Sequence, residues 1–204
     1  MEPFVTHTGI VAAMDRANVD TDQVIPKQFL KRIERTGFGE FLFFDWRYHE
    51  DGSENPDFEL NQSAVKGASI LLAKDNFGSG SSREHAVWAL AQFGICALVA
   101  PSFADIFYNN CFKNGVLPIP LDKEIVNDLF VRAAENAPYE LSIDLQQQTI
   151  RDELGLDVRF EIEASRRHNL LNGLDDIALT LKHEDKITAY EATHPAVYDA
   201  SPVS

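Results

Sequence analysis

The chain has 204 residues, of which 45% are hydrophobic and 25% charged, and its formal net charge is −14. A chain of this length can bury the core of one domain, and we expect residues 1–204 to form a single domain. The negative charge argues against nucleic acid and anionic membrane surfaces as partners, because both present negatively charged groups. A small anionic ligand is still compatible with it, because a local cationic pocket can outweigh a repulsive overall field.

The cysteines and the first residues indicate the cellular compartment of the protein. Cys96 and Cys111 are the two cysteines, and both lie in apolar or aromatic surroundings. Two thiols are too few for a zinc or iron–sulfur site made by this chain alone, so we expect no metal on it. The first residues lack the basic and apolar regions of a signal peptide, and no apolar run approaches the roughly 20 residues that span a bilayer. These features predict a cytoplasmic protein with reduced thiols, with a disulfide as the alternative.

The predicted elements begin with a strand over residues 4–14. Residues 18–26, NVDTDQVIP, interrupt the apolar pattern with aspartates and an asparagine, which is typical of a loop. Pro26 introduces a short helix or turn, and residues 35–48 contain a dense group of aromatic residues. Residues 49–60 are acidic and rich in turn formers, which predicts an exposed loop.

The centre of the chain is more regular. Apolar strands over residues 68–73 and 95–100 flank a helical pattern over 83–93. This spacing predicts a βαβ unit with two parallel strands and a right-handed crossover. A second helix is predicted over 101–115, with Ser102 as its N-cap and Gly115 near its C-cap.

The remaining elements complete a mixed sheet. Residues 116–121 predict a strand at a sheet edge, because its prolines cannot donate to a neighbouring strand, and 122–136 predict an amphipathic helix. Residues 139–151 and 157–164 alternate with period two and should pair as antiparallel strands. A helical segment is expected from about residue 165, interrupted near 172–173, with a flexible tail from about 195. The class is therefore α/β, with a central βαβ unit flanked by helices.

The turn between the predicted strand 68–73 and the next helix contains residues typical of an anion site. Gly78 and Gly80 allow a sharp turn and a close approach of a ligand to the main chain. The helix start offers unpaired N–H groups and a partial positive charge, and Arg83 adds a planar fork that matches a carboxylate or phosphate. Ser81 and Ser82 place hydroxyls at the same spot.

Other interpretations of this turn are available. Ser81 or Ser82 is equally compatible with an ordinary helix N-cap. A dinucleotide fingerprint requires a glycine where this chain has Arg83, a P-loop requires the pair Gly-Lys, and a hydrolase elbow requires a different order of glycine and serine.

The aspartates of residues 18–26 form a second polar group. They lack the later glycine and glutamate of an EF-hand loop, so calcium is not indicated. One interpretation is a structural turn capped by aspartates. The alternative is that Asp22 is the partner of a cationic site.

Three segments together carry a resemblance: NVDTDQVIPKQFL at 18–30, NFGSGSSREHAVWAL at 76–90 and PSFADIFYNN at 101–110. They resemble the small-subunit family of bacterial 3-isopropylmalate dehydratases, which corresponds to the swivelling domain of aconitase. The resemblance extends to residues 35–39, 165–175 and 177–191, with Ser165 in place of the family's aromatic residue, and so covers nearly the whole chain. One departure is Ser79, which stands where the family's turn often has cysteine and which keeps a small residue there.

The resemblance implies a swivelling β/β/α domain of the aconitase type. It implies a hydro-lyase that interconverts 2-isopropylmalate and 3-isopropylmalate in leucine biosynthesis and is active only with a large subunit. The implied Lewis acid is a four-iron–four-sulfur cluster on that large subunit, with no cofactor on this chain. Ser81 matches the family's base, and Ser82 and Arg83 match the groups that bind the substrate carboxylate. Asp22 matches a polar residue beside the substrate, and Arg35 is a candidate for a further cationic contact.

Two other functions are left open at this stage. The same chemistry fits a small subunit for homoaconitate or a methyl-substituted malate. Residues 27–36 do not settle which substrate side chain the enzyme accepts, or whether it binds an extra substrate carboxylate. The second alternative is of a different class: a stand-alone module that binds an anion at the same turn without catalysis.

Overall fold

The computed structural model describes residues 1–31 and 36–194. Within these residues, seven strands form one sheet in the order β4-β3-β2-β1-β5-β6-β7. The strands are β1 Thr6–Ala13, β2 Ile70–Leu72, β3 Ala97–Ala100, β4 Leu117–Pro120, β5 Glu140–Asp144, β6 Thr149–Arg151 and β7 Asp157–Arg159. Strands β1 to β4 are parallel, and β5 to β7 join them antiparallel. The prediction of an α/β class with a mixed sheet is confirmed.

Helices and short 3₁₀ turns connect the strands, and the last helices follow β7. The helices are α1 Thr21–Val24, α2 Phe44–Arg47, α3 Glu84–Phe93, α4 Asp105–Lys113, α5 Lys123–Glu135, α6 Ala164–Leu171, α7 Asp176–Leu181 and α8 Glu184–Thr193. The 3₁₀ turns span Lys27–Lys31, Gly39–Phe41, Glu59–Asn61 and Ser63–Val65. The predicted βαβ unit is β2-α3-β3, whose strands pair in parallel. Gly94 follows α3 as its C-cap and has the left-handed backbone that helix ends favour. No helix of the described ranges is long and apolar enough to cross a membrane.

The sheet separates two apolar layers because neighbouring residues of each strand point to opposite faces. Ala12, Leu71 and Leu98 lie in the layer formed with α3, α4 and the aromatic residues between β1 and β2. Ile70 and Val99 lie in the other layer, with α5, the antiparallel strands and Leu170 of α6. Burial on both faces explains why β2 and β3 are continuous apolar runs rather than alternating ones.

Three predictions of local structure are wrong. Helix α4 begins at Asp105 after Ala104, and the Ser102 hydroxyl accepts from the Asn76 N–H at 2.9 Å instead of capping it. Residues 139–151 are two strands, β5 and β6, rather than one, because Asp144 accepts from the Gln147 N–H and closes a turn between them. Part of the loop 49–60 is buried rather than exposed.

The buried part of that loop begins at Phe58, which is 1% exposed and packs against the rings of Phe43 and Trp46. Other predictions are confirmed: Gly115 follows the end of α4, β4 lies at the sheet edge, and the C-terminal helical segment is interrupted at Asn172 and Gly173. The tail from about 195 lies outside the described residues.

Asp152 joins the antiparallel strands to α5. Its side chain is 1% exposed and accepts from the N–H groups of Leu154 and Leu156, from the Tyr139 hydroxyl at 2.7 Å and from Arg132 at 3.1 Å. Burial by itself raises the pKa of the Asp152 carboxyl, but these hydrogen bonds outweigh it, and the pKa lies below its usual value. The charged carboxylate is therefore the form that the fold stabilises.

In Asp152→Asn, an NH₂ group replaces one of the two carboxylate oxygens. The side chain then loses either the hydrogen bonds from Tyr139 and Arg132 or those from the two backbone N–H groups. We expect the free energy of unfolding at pH 7 to fall by about 2 kcal/mol or more. Because folding lowers the pKa, the charged carboxyl stabilises the fold above its unfolded pKa of about 3.9, and this contribution is lost as the pH falls through the folded value. The difference between wild type and variant, measured by urea unfolding, should therefore shrink below about pH 4.

Asp157→Asn is the matched control. Asp157 pairs with Arg151 at 3.2 Å, and both side chains are about half exposed, so its loss should cost less than about 1 kcal/mol. Equal losses in the two variants would show that Asp152 is only another surface carboxylate.

Candidate active site at the carboxyl edge of the parallel strands

The loops that follow β1 and β2 leave the same edge of the sheet and are joined there by backbone hydrogen bonds. The Asn18 N–H donates to the Asp75 carbonyl, the Gly78 N–H donates to the Val19 carbonyl, and both distances are 2.8 Å. The Thr21 N–H donates to the Ser79 carbonyl, also at 2.8 Å. The two polar segments singled out in the sequence therefore form one structural unit, at the edge where open α/β sheets bind ligands.

The glycines of the turn make this approach possible. Gly78 and Gly80 both have positive φ angles, of 78° and 87°. A Cβ atom on Gly78 would collide with the Phe107 ring, and one on Gly80 would collide with the carboxylate of Asp20. Both positions therefore exclude a side chain for reasons of space as well as backbone conformation.

Ser81 and Ser82 are exposed at the end of this turn. Within the described residues, neither hydroxyl makes a hydrogen bond. Helix α3 begins at Glu84, the N-cap position is Arg83, and no side chain caps the helix. The alternative interpretation of Ser81 or Ser82 as an N-cap is therefore wrong, and both hydroxyls face solvent beside the positive end of α3.

Arg83 is fixed by a carboxylate. Its Nη1 contacts Oδ1 of Asp22, and its side chain is 17% exposed. Oδ2 of Asp22 also meets Nζ of Lys27 at 3.0 Å. Asp22 thus lies between two cations, and the remaining donors of the Arg83 guanidinium keep their capacity for an anion.

Asp20 and Thr21 belong to the site but were not named as site residues from the sequence, although the interpretation of residues 18–26 as a turn capped by aspartates is confirmed at Asp20. Asp20 is the N-cap of α1, and its Oδ1 accepts from the Asp22 N–H at 2.7 Å. In turn, Oε1 of Gln23 accepts a hydrogen bond from the Asp20 N–H at 2.9 Å. The signal was present, since an aspartate followed three residues later by glutamine is a capping-box pattern. Arg35, the candidate for a further cationic contact, lies outside the described residues.

Metal ligands are not gathered in the described part of the chain, where no group of three His, Cys, Asp or Glu side chains is arranged to hold an ion. Cys96 and Cys111 are free thiols. Burial raises the pKa of the Cys111 thiol well above its ordinary value, and burial together with the charge of Glu2 raises that of Cys96. Neither thiol is therefore prepared to act as a thiolate ligand or nucleophile.

Taken together, the turn presents two free hydroxyls, a helix start and a guanidinium on an open surface. Such an arrangement can bind a carboxylate and place a hydroxyl next to it. Residues 27–31 and 38–48 contribute apolar surface nearby in the fold, where the rings of Phe29 and Phe41 stack with centroids 4.0 Å apart.

Comparisons with known proteins agree over most of the chain. The family model of the aconitase C-terminal domain matches residues 1–124. A model described as LeuD_N matches 127–164, and the model for the C-terminal domain of the 3-isopropylmalate dehydratase small subunit matches 176–198.

Individual relatives extend the similarity. The chain is 69% identical to the 3-isopropylmalate dehydratase small subunit of Rhodopirellula baltica, with 94% of this chain and 98% of the relative covered. It is 62% identical to that of Brevibacillus brevis, with 94% and 99% covered. A crystal structure of 3-isopropylmalate dehydratase (leuD) from Methanocaldococcus jannaschii is similar with a TM-score of 0.65, at 25% identity, covering 91% of this chain and 99% of that one.

Gly80→Ala tests how closely the two loops must approach. Alanine at a positive φ costs about 1–2 kcal/mol, and the collision with Asp20 adds about 1–3 kcal/mol. Gly155→Ala is the matched control, because Gly155 has a φ of 91° but nothing lies within 4 Å of its added Cβ. Urea unfolding should show a larger loss of stability for Gly80→Ala than for Gly155→Ala. Equal losses would mean that the Asp20 side chain can move aside without cost.

Proposed function

The chain belongs to the family of 3-isopropylmalate dehydratase small subunits, which carry an aconitase C-terminal domain, and from this membership we propose how its turn acts in catalysis. As a small subunit it works with a large subunit, in a hydro-lyase of leucine biosynthesis. That enzyme interconverts 2-isopropylmalate and 3-isopropylmalate by removing water and adding it back. In our proposal this chain supplies the base and the carboxylate-binding groups.

Ser81 is the proposed base. Dehydration removes a proton from the carbon next to a carboxylate, so a basic atom must lie beside a bound carboxylate. Ser81 supports this role because its hydroxyl is exposed and free of protein hydrogen bonds in the described residues, two positions before Arg83. A serine hydroxyl ordinarily titrates far above neutrality, and the start of α3 and the Arg83 charge both favour its anion. This free hydroxyl beside a fixed guanidinium is the observation that carries the proposal.

Ser82 and Arg83 are proposed to hold the substrate carboxylate. The Arg83 guanidinium matches a carboxylate in shape and charge, and the N–H groups at the start of α3 add donors. Asp22 holds one edge of that guanidinium, which leaves the other donors pointing in a fixed direction. Arg35 stays a proposed further contact to the substrate.

The proposed Lewis acid is a four-iron–four-sulfur cluster on the large subunit. Such a cluster needs several cysteine thiolates, and this chain has two cysteines whose thiol pKa values are raised, so its own residues do not fit one. The cluster would supply the positive charge that helps hydroxide leave. We further propose that the enzyme acts in the cytoplasm, because free thiols are typical of a reducing compartment.

Ser81→Ala is expected to lower kcat by at least 10²–10⁴-fold, the usual effect of removing a general base, with KM changed by no more than a few-fold. The carboxylate contacts of Ser82 and Arg83 are retained, which is why KM changes little. The measurement is steady-state kinetics with 2-isopropylmalate on the anaerobically reconstituted complex of both subunits, together with its melting temperature.

Ser82→Ala is the matched comparison, because Ser82 is the next residue and is also exposed. It should raise KM by about tenfold, the loss of one charge-assisted hydrogen bond, with kcat largely kept. If Ser81→Ala retained most of its turnover, the base would have to be sought elsewhere.

A further inference from the structure

We propose that Thr21 is a positioning residue that holds Ser81 in place for proton abstraction, an inference that rests on the proposed role of Ser81. Thr21 is 1% exposed, so it cannot touch substrate itself. Its Oγ1 donates to the Ser81 carbonyl at 3.0 Å, and its backbone N–H donates to the Ser79 carbonyl at 2.8 Å. One residue of α1 thus holds the carbonyl groups on both sides of Gly80.

The turn has little else to fix it. Within the described residues, the Thr21 hydroxyl is the one side chain that hydrogen-bonds to the backbone of residues 80–82. The other contact of the Ser81 carbonyl is with the Arg83 N–H at 2.8 Å, a local bond that moves together with the turn. Gly80 is also the residue with the widest conformational freedom. Without Thr21, the exposed Ser81 would sample more positions.

Thr21 is itself held firmly. Helix α1 begins behind the capping box of Asp20 and Gln23, and the Thr21 carbonyl accepts from the Ile25 N–H at 3.0 Å. Val24 and Ile25 are fully buried in the apolar layer beneath. The Thr21 hydroxyl therefore anchors the Ser81 peptide to the protein core.

Thr21 and Asp22 act on different parts of the site. Asp22 fixes the guanidinium that would hold the substrate, whereas Thr21 fixes the backbone that carries the base. Loss of the Thr21 hydroxyl should therefore slow the chemical step more than it weakens substrate binding. Displacement of a reacting group by a fraction of an ångström to about 1 Å lowers rates by up to about 10²-fold.

The test uses Thr21→Val, which keeps shape and removes the hydroxyl, and Thr21→Ser, which keeps the hydroxyl and removes a methyl group. On the reconstituted complex with 2-isopropylmalate, Thr21→Val should lower kcat by roughly 10-fold with KM within about threefold, and Thr21→Ser should restore most of kcat. Thr149→Val is the matched control. Thr149 is also buried, and its Oγ1 has no hydrogen-bond partner, so kcat should not change.

The double variant Ser81→Ala with Thr21→Val separates positioning from general stability. If Thr21 acts through Ser81, the valine should lower the residual rate of Ser81→Ala no further. A multiplicative loss in the double variant, unchanged kcat in Thr21→Val, or an equally slow Thr21→Ser would each overturn the inference. Should Thr21→Val fail to assemble, Thr21→Ala takes its place: a roughly tenfold lower kcat that Thr21→Ser does not share supports the role, and equal kcat in the two variants contradicts it.

The inference and the proposed function fail in different ways. Retained activity in Ser81→Ala removes the base assignment and with it the role of Thr21. An inactive Ser81→Ala together with a fully active Thr21→Val removes the role of Thr21 alone.

Discussion

Backbone hydrogen bonds between residues 18–21 and 75–79 are the contacts on which the rest of the site depends. They bring the aspartate loop after β1 against the glycine–serine turn after β2, although about 55 residues separate the two segments in the chain. The approach is possible because Gly80 leaves room for the Asp20 carboxylate, which in turn caps α1. Space, capping and backbone pairing therefore enforce the same geometry.

Two cationic side chains and a helix start lie together at this edge of an acidic chain. The chain carries a net charge of −14, yet the start of α3, Arg83 and Lys27 place positive charge around Asp22. Asp22 neutralises part of that charge in the free subunit and restrains the arginine. In the proposed function, short-range interactions with these groups hold the anionic substrate, and solvent ions screen the repulsive distant field over about 10 Å.

Much of the fold and part of the site could be predicted from the sequence. Apolar runs on either side of a helical pattern, together with the proline-bearing edge strand, predicted the parallel strands β2 to β4. The resemblance predicted the aconitase-type family that the comparisons confirm. The split of 139–151 into two strands was missed because its turn has no glycine or proline, and the three consecutive glutamines at 146–148, which do interrupt the alternation, are not typical turn residues. The contact of Thr21 with Ser81 depends on which loops meet in space, and no local pattern encodes that.

A titration under anaerobic conditions tests whether this chain is one half of an active site. A fixed amount of the large subunit is mixed with increasing amounts of the purified chain, and turnover of 2-isopropylmalate and bound iron are measured. We expect no turnover by either subunit alone, a rise in turnover that saturates at one chain per large subunit, and iron that stays with the large subunit. Turnover by this chain alone, or full activity of the large subunit without it, would show that the active site is not shared between the two subunits.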